Sequence, residues 1–365
     1  MEFIMYKTIL SFIFLIFAGM SSLQAESLPL SLRLKEGQKI KQTVSLDFSC
    51  YLEASEQFSD QIKKMHETQP TEETVLYMHA LNQLTVDKPV FTGNVKTTVQ
   101  STILKDHGQY YTISTSSVGN KFSIQENLIN QFSLAYDADN PKNNFSNLPF
   151  PIDFKQIDEA MKQTEAITAR VTKDGTVIAF DDLEQKISTQ AKKNGLPSNQ
   201  LAQISETIGS ISQLTPQFKL PSYLTGIRLP NTLMKIGESL NQPYITIPDE
   251  IKASIPQEAL PLLALLEQKI TLIEKNGEYA KFSIEMPLTQ PPAIPVSDND
   301  QITFKGTLFK GNMTINVNTG LLVKSNLATD FSIIFSSKEE SQGTMSDEIT
   351  LRFVSRGQTE TESGS

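Results

Sequence analysis

Tryptophan is absent from this 365-residue chain, cysteine occurs once and histidine three times. A single thiol, Cys50, cannot close an internal disulfide, so the fold must be held by its core and its backbone pairing. His66, His79 and His107 stand apart in sequence, with no HExxH arrangement and no neighbouring cysteine, which removes the usual metal-ligand spacings. Basic charge is also in deficit: 32 Lys and Arg against 41 Asp and Glu leave a net charge of −9. That balance lacks the electrostatic footprint of a nucleic-acid binder, and no nucleic-acid partner is expected. Nor does the chain carry a GxSxG nucleophile turn, a GxGxxG turn or a phosphate loop ending in GK and Ser or Thr. No residue is therefore assigned a catalytic, cofactor-binding or metal-ligating role, and no cofactor is expected.

Long apolar runs are missing too, apart from Ile9 to Met20. That run is short for a membrane span, follows Lys7 and gives way to a small-residue exit at Ala25, so residues 1–25 read as a secretory signal peptide. An uncleaved membrane anchor is the alternative. Removing Glu2 and Lys7 takes away one charge of each sign, so the remaining chain keeps its net charge of −9.

What the chain does contain is period-two alternation, which places residues two apart on one face of a strand. Leu28, Leu30, Leu32 and Leu34 alternate up to Gly37, and Ile40, Val44, Leu46 and Phe48 resume the pattern, which predicts a hairpin over Leu28 to Leu52. Within it, VSLDFSCYLEA places Cys50 on a strand as a buried, inert thiol, with an intermolecular disulfide or a reactive thiol as the alternative. Residues 94–124 read as two Thr-, Val- and Tyr-rich strands broken by Asp106-His107-Gly108. Lys173-Asp174-Gly175 and Asn276-Gly277 mark two more hairpins, over 167–180 and 270–286. Gly306, Gly311 and Gly320 are expected to divide short strands in the segment that follows, and EITLRFVS supplies a last one.

Helical spacing is confined to a few segments. Phe58, Ile62 and Met65 share a helix face before Pro70, and 74–86 fits either a helix or a strand. Short helices are expected at 154–165 and across 181–216, where Asp181-Asp182 would open the first and Leu201, Ile204, Ile208 and Ile211 would pack on the sheet. Five prolines between 216 and 248 mark a long connection, with Tyr244 to Ile247 as a short edge strand. The fold class is thus α+β, a predominantly antiparallel curved sheet or open half-barrel with a few packed helices. Residues 26–356 form the sheet region, as one domain or as two intimately packed halves with a boundary in 216–260. The polar 357–365 is a disordered tail.

Three segments carry a resemblance: RLPNTLMKIGESL from Arg228, ITLIEKNGEYAKFSI from Ile270 and GNMTINVNTGLLVKSNLATDF from Gly311. They resemble a family of exported bacterial proteins of uncharacterised function with a strongly curved antiparallel sheet. Leu229, Pro230, Ile236, Gly237 and Glu238 follow its pattern, whereas Leu240 stands where that family commonly has a tryptophan. The chain is also similar, more distantly, to the lipoprotein-carrier proteins of the bacterial periplasm, which have a half-barrel around an apolar cavity. The resemblance implies a periplasmic or extracellular protein without catalysis, whose partner is a lipid or other apolar or amphipathic ligand. A structural or interaction module binding another envelope protein is the second reading, and an unrecognised hydrolase the third.

Overall fold

A computed structural model describes residues 31–71, 88–127, 131–148, 151–155, 166–182, 234–243, 267–288, 299–338 and 345–364. It also describes residues 74, 75, 78, 81, 82, 185, 186, 188, 189, 220, 221, 224, 225 and 293–295. The described strands are β1 (Lys39–Ala54), β2 (Phe91–Asp106), β3 (Tyr110–Glu126), β4 (Ser133–Asp137), β5 (Phe145–Ser146), β6 (Ile167–Thr172) and β7 (Thr176–Phe180). They continue with β8 (Leu220–Pro221), β9 (Ser239–Pro243), β10 (Glu267–Asn276), β11 (Tyr279–Leu288), β12 (Ile294–Pro295), β13 (Asp300–Asn316), β14 (Leu322–Lys338) and β15 (Met345–Gly364). All belong to one sheet, ordered β8-β7-β6-β3-β2-β1-β15-β14-β13-β11-β10-β9, with β4 and β5 appended to β3 and β12 to β13. Every pairing is antiparallel, and the path is open, ending on the short strands β8 and β9. Short edges offer little backbone for a further strand to pair with.

The single long helix among the described residues, α1 (Glu56–Thr68), joins β1 towards β2. Ser55 caps it by accepting the Phe58 N–H at 3.1 Å, and the same residue donates its own N–H to the Glu348 carbonyl of β15. Ile62 is the buried residue of its apolar face, while Met65 is 52% exposed. Beyond it the described residues between 74 and 82 are helical, which resolves the helix-or-strand alternative there.

The predicted hairpins at 94–124, 167–180 and 270–286 form as β2–β3, β6–β7 and β10–β11. Three other expectations are corrected. Residues 357–364 are not a disordered tail: they complete β15, paired on both sides with β1 and β14. Gly306 and Gly311 do not divide strands but lie inside the continuous β13. Residues 31–35 are not the first arm of a hairpin, because both edges of β1 are taken by β2 and β15.

Instead, residues 31–35 cross the mouth of the sheet as a strap. Leu32 N–H donates to the Lys173 carbonyl in the β6–β7 turn at 2.6 Å, and the next residue, Arg33, donates to the Thr319 carbonyl in the β13–β14 turn at 3.0 Å. In the sheet these turns are separated by the path β6-β3-β2-β1-β15-β14, which would span about 24 Å if flat at ~4.8 Å per step. Consecutive residues can reach both only if the sheet is strongly curved at this end. The strap passes so close to Gly320 that a Cβ there would lie 2.9 Å from the Ser31 carbonyl oxygen. Leu32 and Leu34 are buried against Ile40, Ile103, Tyr111, Ile113, Val171 and Leu321, so the curved sheet closes on an apolar plug.

Two further apolar clusters lie along the other arm of the sheet. One gathers Ile270, Leu272, Phe282, Ile284, Met286, Met313 and Ile315 of β10, β11 and β13. The other holds Leu288, Phe304, Phe331 and Ile333. Both follow from the alternation read in the sequence, since β11 alone buries Ala280, Phe282, Ile284, Met286 and Leu288.

A polar corner fixes β4 and β5. Asp137 receives Lys121 Nζ at 3.1 Å, Asn143 Nδ2 at 3.1 Å and the N–H groups of Asp139 and Asn140. Partial desolvation pushes its carboxyl up, but these donors together outweigh it and hold the pKa down at about 2. The unfolded value is ~3.9, so the corner's contribution to stability is complete above about pH 4 and is lost as pH falls through about 2. The Asp139 and Asn140 amide resonances should therefore titrate with a midpoint near 2. An ordinary carboxylate midpoint would show that the corner is not formed.

The expected signal peptide at 1–25, the Tyr244–Ile247 strand and helix residues 156–165 and 190–216 lie outside the described residues.

Candidate functional site

The register of the sheet sorts its residues onto two chemically different faces. One carries the even positions 40–54 of β1, the odd positions 91–103 of β2, 349–363 of β15 and 325–335 of β14, and the even positions 280–288 of β11. None of these is Asp, Glu, Lys, Arg or His. The plug residues Leu32 and Leu34 pack on this face, so it is the concave one at the curved end.

The opposite face carries the charges, and they are paired across strands. Lys41 faces Glu362 at 3.6 Å, Lys324 faces Glu360 at 3.1 Å and Lys310 faces Glu285 at 3.2 Å. Arg352 forms a fork on Asp330, with both nitrogen–oxygen distances at 2.8 Å. The guanidinium holds the Asp330 carboxyl below its usual range. Exposed pairs of this kind contribute little stability, so their clearer effect is on register: a one-residue slip would bring charge onto the concave face.

Rows across the strands reveal a gradient on the concave face. Nearest the plug, one row reads Thr115, Ser101, Ile40 and Ser363, and the next Ser117, Val99, Gln42 and Thr361. Further along, a row reads Phe122, Val95, Leu46, Gly357 and Leu327. Then come Glu126, Phe91, Cys50, Phe353 and Phe331, and Leu52, Leu351 and Ile333. The face thus passes from a hydroxyl and amide belt to an apolar, aromatic floor. Phe48 stacks on Phe91 with ring centroids 6.2 Å apart, and Phe331 on Phe353 at 5.1 Å.

Part of the floor is core, since Leu46, Phe331 and Ile333 are buried, and part of it stays accessible. Val44, Phe48, Leu52, Phe91, Val95 and Phe122 are all half-buried, whereas Phe282 and Ile284 are fully buried. The floor is mainly apolar, interrupted by Ser355 and Thr329 in the row of Phe48, and lies on strands central in the sheet.

Cys50 lies in this floor, between Phe91 and Phe353. Burial pushes its thiol up to about 12, so it stays protonated and is a poor nucleophile, in keeping with an inert strand cysteine. The other residues weighed in the sequence are dispersed. His107 stacks on Tyr110 at 4.5 Å and bonds Thr112 in the β2–β3 turn. His66 bonds Thr74 at the end of α1, and His79 is outside the described residues. Asp182 accepts the Thr168 N–H and pairs with Lys186, a structural arrangement at the end of β7. Among the described residues no group of three or more His, Cys, Asp or Glu is placed to hold a metal ion. A depression of about 290 Å³ lies over the β2–β3–β4 corner, but most of its lining side chains, among them Thr92, Asn94, Ser123 and Gln125, belong to the charged face.

Comparison with known proteins leaves the meaning of this face to its geometry. No family model matches the chain, and no curated protein does. Among solved structures, lipovitellin, in a study of its lipid–protein interactions, is similar at 8% identity and a TM-score of 0.37. The match covers 90% of this chain and 25% of that one, so this chain spans about a quarter of lipovitellin's length. An outer membrane channel from Pseudomonas putida F1 is similar at 6% identity and a TM-score of 0.16, over 91% of this chain and 98% of that one. Likeness at this level assigns no family and carries no function. The Ile236-Gly237-Glu238 segment of the expected family pattern forms the turn before β9, and residues 228–233 lie outside the described residues.

Proposed function

We propose that this is a noncatalytic, exported binding protein whose concave sheet face takes up a lipid or another apolar or amphipathic ligand. The observation that carries the reading is the absence of Asp, Glu, Lys, Arg and His from the concave positions of the central strands, 40–54 of β1, 91–103 of β2, 325–335 of β14 and 349–363 of β15, with Glu126 of β3 beside Phe91 at the margin, next to an opposite face rich in paired charges. A sheet that needed only to fold would bury such a face completely. Here the residues of the central floor, including Val44, Val95 and Phe122, keep part of their surface accessible. Export is supported by the sequence of residues 1–25, and the periplasm is the compartment this reading favours.

The test is a fluorescence titration with the apolar probe 1-N-phenylnaphthylamine. Wild-type protein should bind it, and Val95→Glu should weaken binding at least about tenfold, because an unpaired carboxylate would stand between the apolar Leu46 and Phe122. Val44→Glu is a second variant of the same kind on the neighbouring strand. Lys96→Glu, one residue along β2 and exposed on the opposite face, should leave binding within about twofold. Equal binding by Val95→Glu, Val44→Glu and Lys96→Glu, each shown folded by circular dichroism, would place the probe elsewhere and defeat the proposal.

A further inference from the structure

We infer that the charged face of the sheet carries a second binding site, a shallow trough over β2, β3 and β4 that takes a short uncharged oligosaccharide. The trough lies on the side away from the concave floor and does not depend on what binds there.

Its shape comes from register. Two cross-strand rows border the depression of about 290 Å³: Asn94, Ser123 and Ala135, continued by Phe145 of β5, and Thr92, Gln125 and Ser133. Between the rows the lining is Gly93, Ile124 and Leu134, one residue from each strand at positions of the concave face, so the trough is floored by backbone. Phe48 backs that floor, because a Cβ on Gly93 would run into its ring. From Asn94 to Phe145 the first row crosses three strand spacings, about 14 Å at ~4.8 Å each.

The borders are rich in hydrogen-bonding groups that the protein leaves unengaged. The side chains of Thr92, Ser123, Gln125 and Ser133 form no hydrogen bond among the described residues. Asn94 Nδ2 donates to Asp47, which leaves its amide oxygen to accept. Asn147 accepts the Ser133 N–H and donates to the Gln131 carbonyl at 3.2 Å, so the β4 border is held in place. Hydroxyls and primary amides both donate and accept, and that mixture matches the hydroxyls of a sugar.

An aromatic ring completes the set. Phe145 is 54% exposed at the end of the first row, beside the small Ala135 and Ser123, and belongs to none of the three core clusters. The negative π face of such a ring can receive the C–H face of a pyranose while its hydroxyls bond the rows.

Charge decides the class of saccharide. No side chain lining the trough is ionisable. By register the nearest charges are Asp47 and Arg356 in the first row and Lys96 and Lys121 in the row beyond it, with Lys121 already paired to Asp137 and Asp139. Glu126 belongs to the concave row of Phe91. A rim with charges of both signs favours neither an anion nor a cation, and a neutral saccharide fits.

Isothermal titration of the full chain with maltotriose, cellotriose and tri-N-acetylchitotriose tests the site. At least one of these neutral trimers should bind. For that trimer Phe145→Ala should weaken binding about tenfold, whereas Phe145→Tyr, which keeps a ring, should stay within about twofold of wild type. Gln125→Ala should weaken it about threefold, and Ser123→Tyr, which fills the trough from an exposed strand position, should abolish it. Val95→Glu on the concave face should leave saccharide binding unchanged, and Phe145→Ala should leave 1-N-phenylnaphthylamine binding unchanged, so failure of one site is distinguishable from failure of the other. If none of the three trimers binds, or if Phe145→Ala and Ser123→Tyr, each shown folded by circular dichroism, bind as the wild type does, the site is overturned. Trigalacturonate, with a carboxylate on each ring, should bind at least about fivefold more weakly than the neutral trimer. Equal binding overturns the uncharged character of the ligand.

Discussion

Gly311→Ala is expected to cost at least about 3 kcal/mol of folding stability, the largest effect foreseen for adding a single methyl group to this protein. A Cβ built at Gly311 would lie 1.9 Å from the Asn326 carbonyl oxygen and 3.0 Å from the Leu327 Cα across the β13–β14 ladder. Those atoms are backbone, so no rotamer change relieves the overlap and the two strands must part. Leu327 is the register partner of Gly311 and belongs to the row that contains Val95 and Leu46, so separation here would also break the concave face. Gly108→Ala is the control. Its Cβ would meet nothing within 4 Å, and its φ of +82° leaves only the left-handed backbone penalty, about 1–2 kcal/mol. Chemical denaturation of both variants checks the contrast, and equal midpoints would show that β13 and β14 are not in this contact.

Tyr111→Phe is expected to cost about 2–4 kcal/mol, although it removes a single oxygen. Tyr111 is 1% exposed, accepts the Leu34 N–H at 2.9 Å and donates to the Leu32 carbonyl at 3.0 Å. Without the hydroxyl, both groups of the strap are left buried and unpaired. Lys173 Nζ lies 3.5 Å from the centroid of the same ring and pairs with Asp106 at 2.7 Å, so ring, strap and two turns are joined at one point. Hydrogen exchange should show the Leu32 and Leu34 amides losing protection before the β10–β11 ladder does. Uniform loss across the sheet would mean that the strap is not the element Tyr111 holds.

Much of the fold was legible in the sequence because it is written in period two and in turn dipeptides. Asp106-His107-Gly108, Asp174-Gly175 and Asn276-Gly277 each sit where a hairpin reverses. The strap was misread because Leu28 to Leu34 alternates as a strand does, and alternation says nothing about whether a partner edge is free. The end of β15 was misread for the opposite reason. Its residues Gln358 to Ser363 are polar enough to look disordered, yet Thr359, Thr361 and Ser363 alternate with Glu360 and Glu362, and Lys324 and Lys41 on the flanking strands receive those glutamates. The signal was present in the alternation, but its meaning depended on lysines distant in sequence.

The concave face was less accessible to sequence reading than the strands that build it. Each strand announces an apolar side, but the division into belt and floor exists only across strands, through register. Gln42, Ser101 and Ser117 come from three strands and look unremarkable in their own segments. The scarcity of charge, with Glu126 the β3 partner of Phe91, is likewise a property of aligned rows, in a chain where 20% of residues are charged.

Native mass spectrometry of the wild-type protein and of Val95→Glu, each isolated from the cells that make it, tests the binding face most directly. The expected result is a noncovalent lipid-sized mass on the wild type, recovered in an organic extract and absent from a folded Val95→Glu. A bare wild-type mass, or the same adduct on both proteins, would contradict a binding role for the concave face.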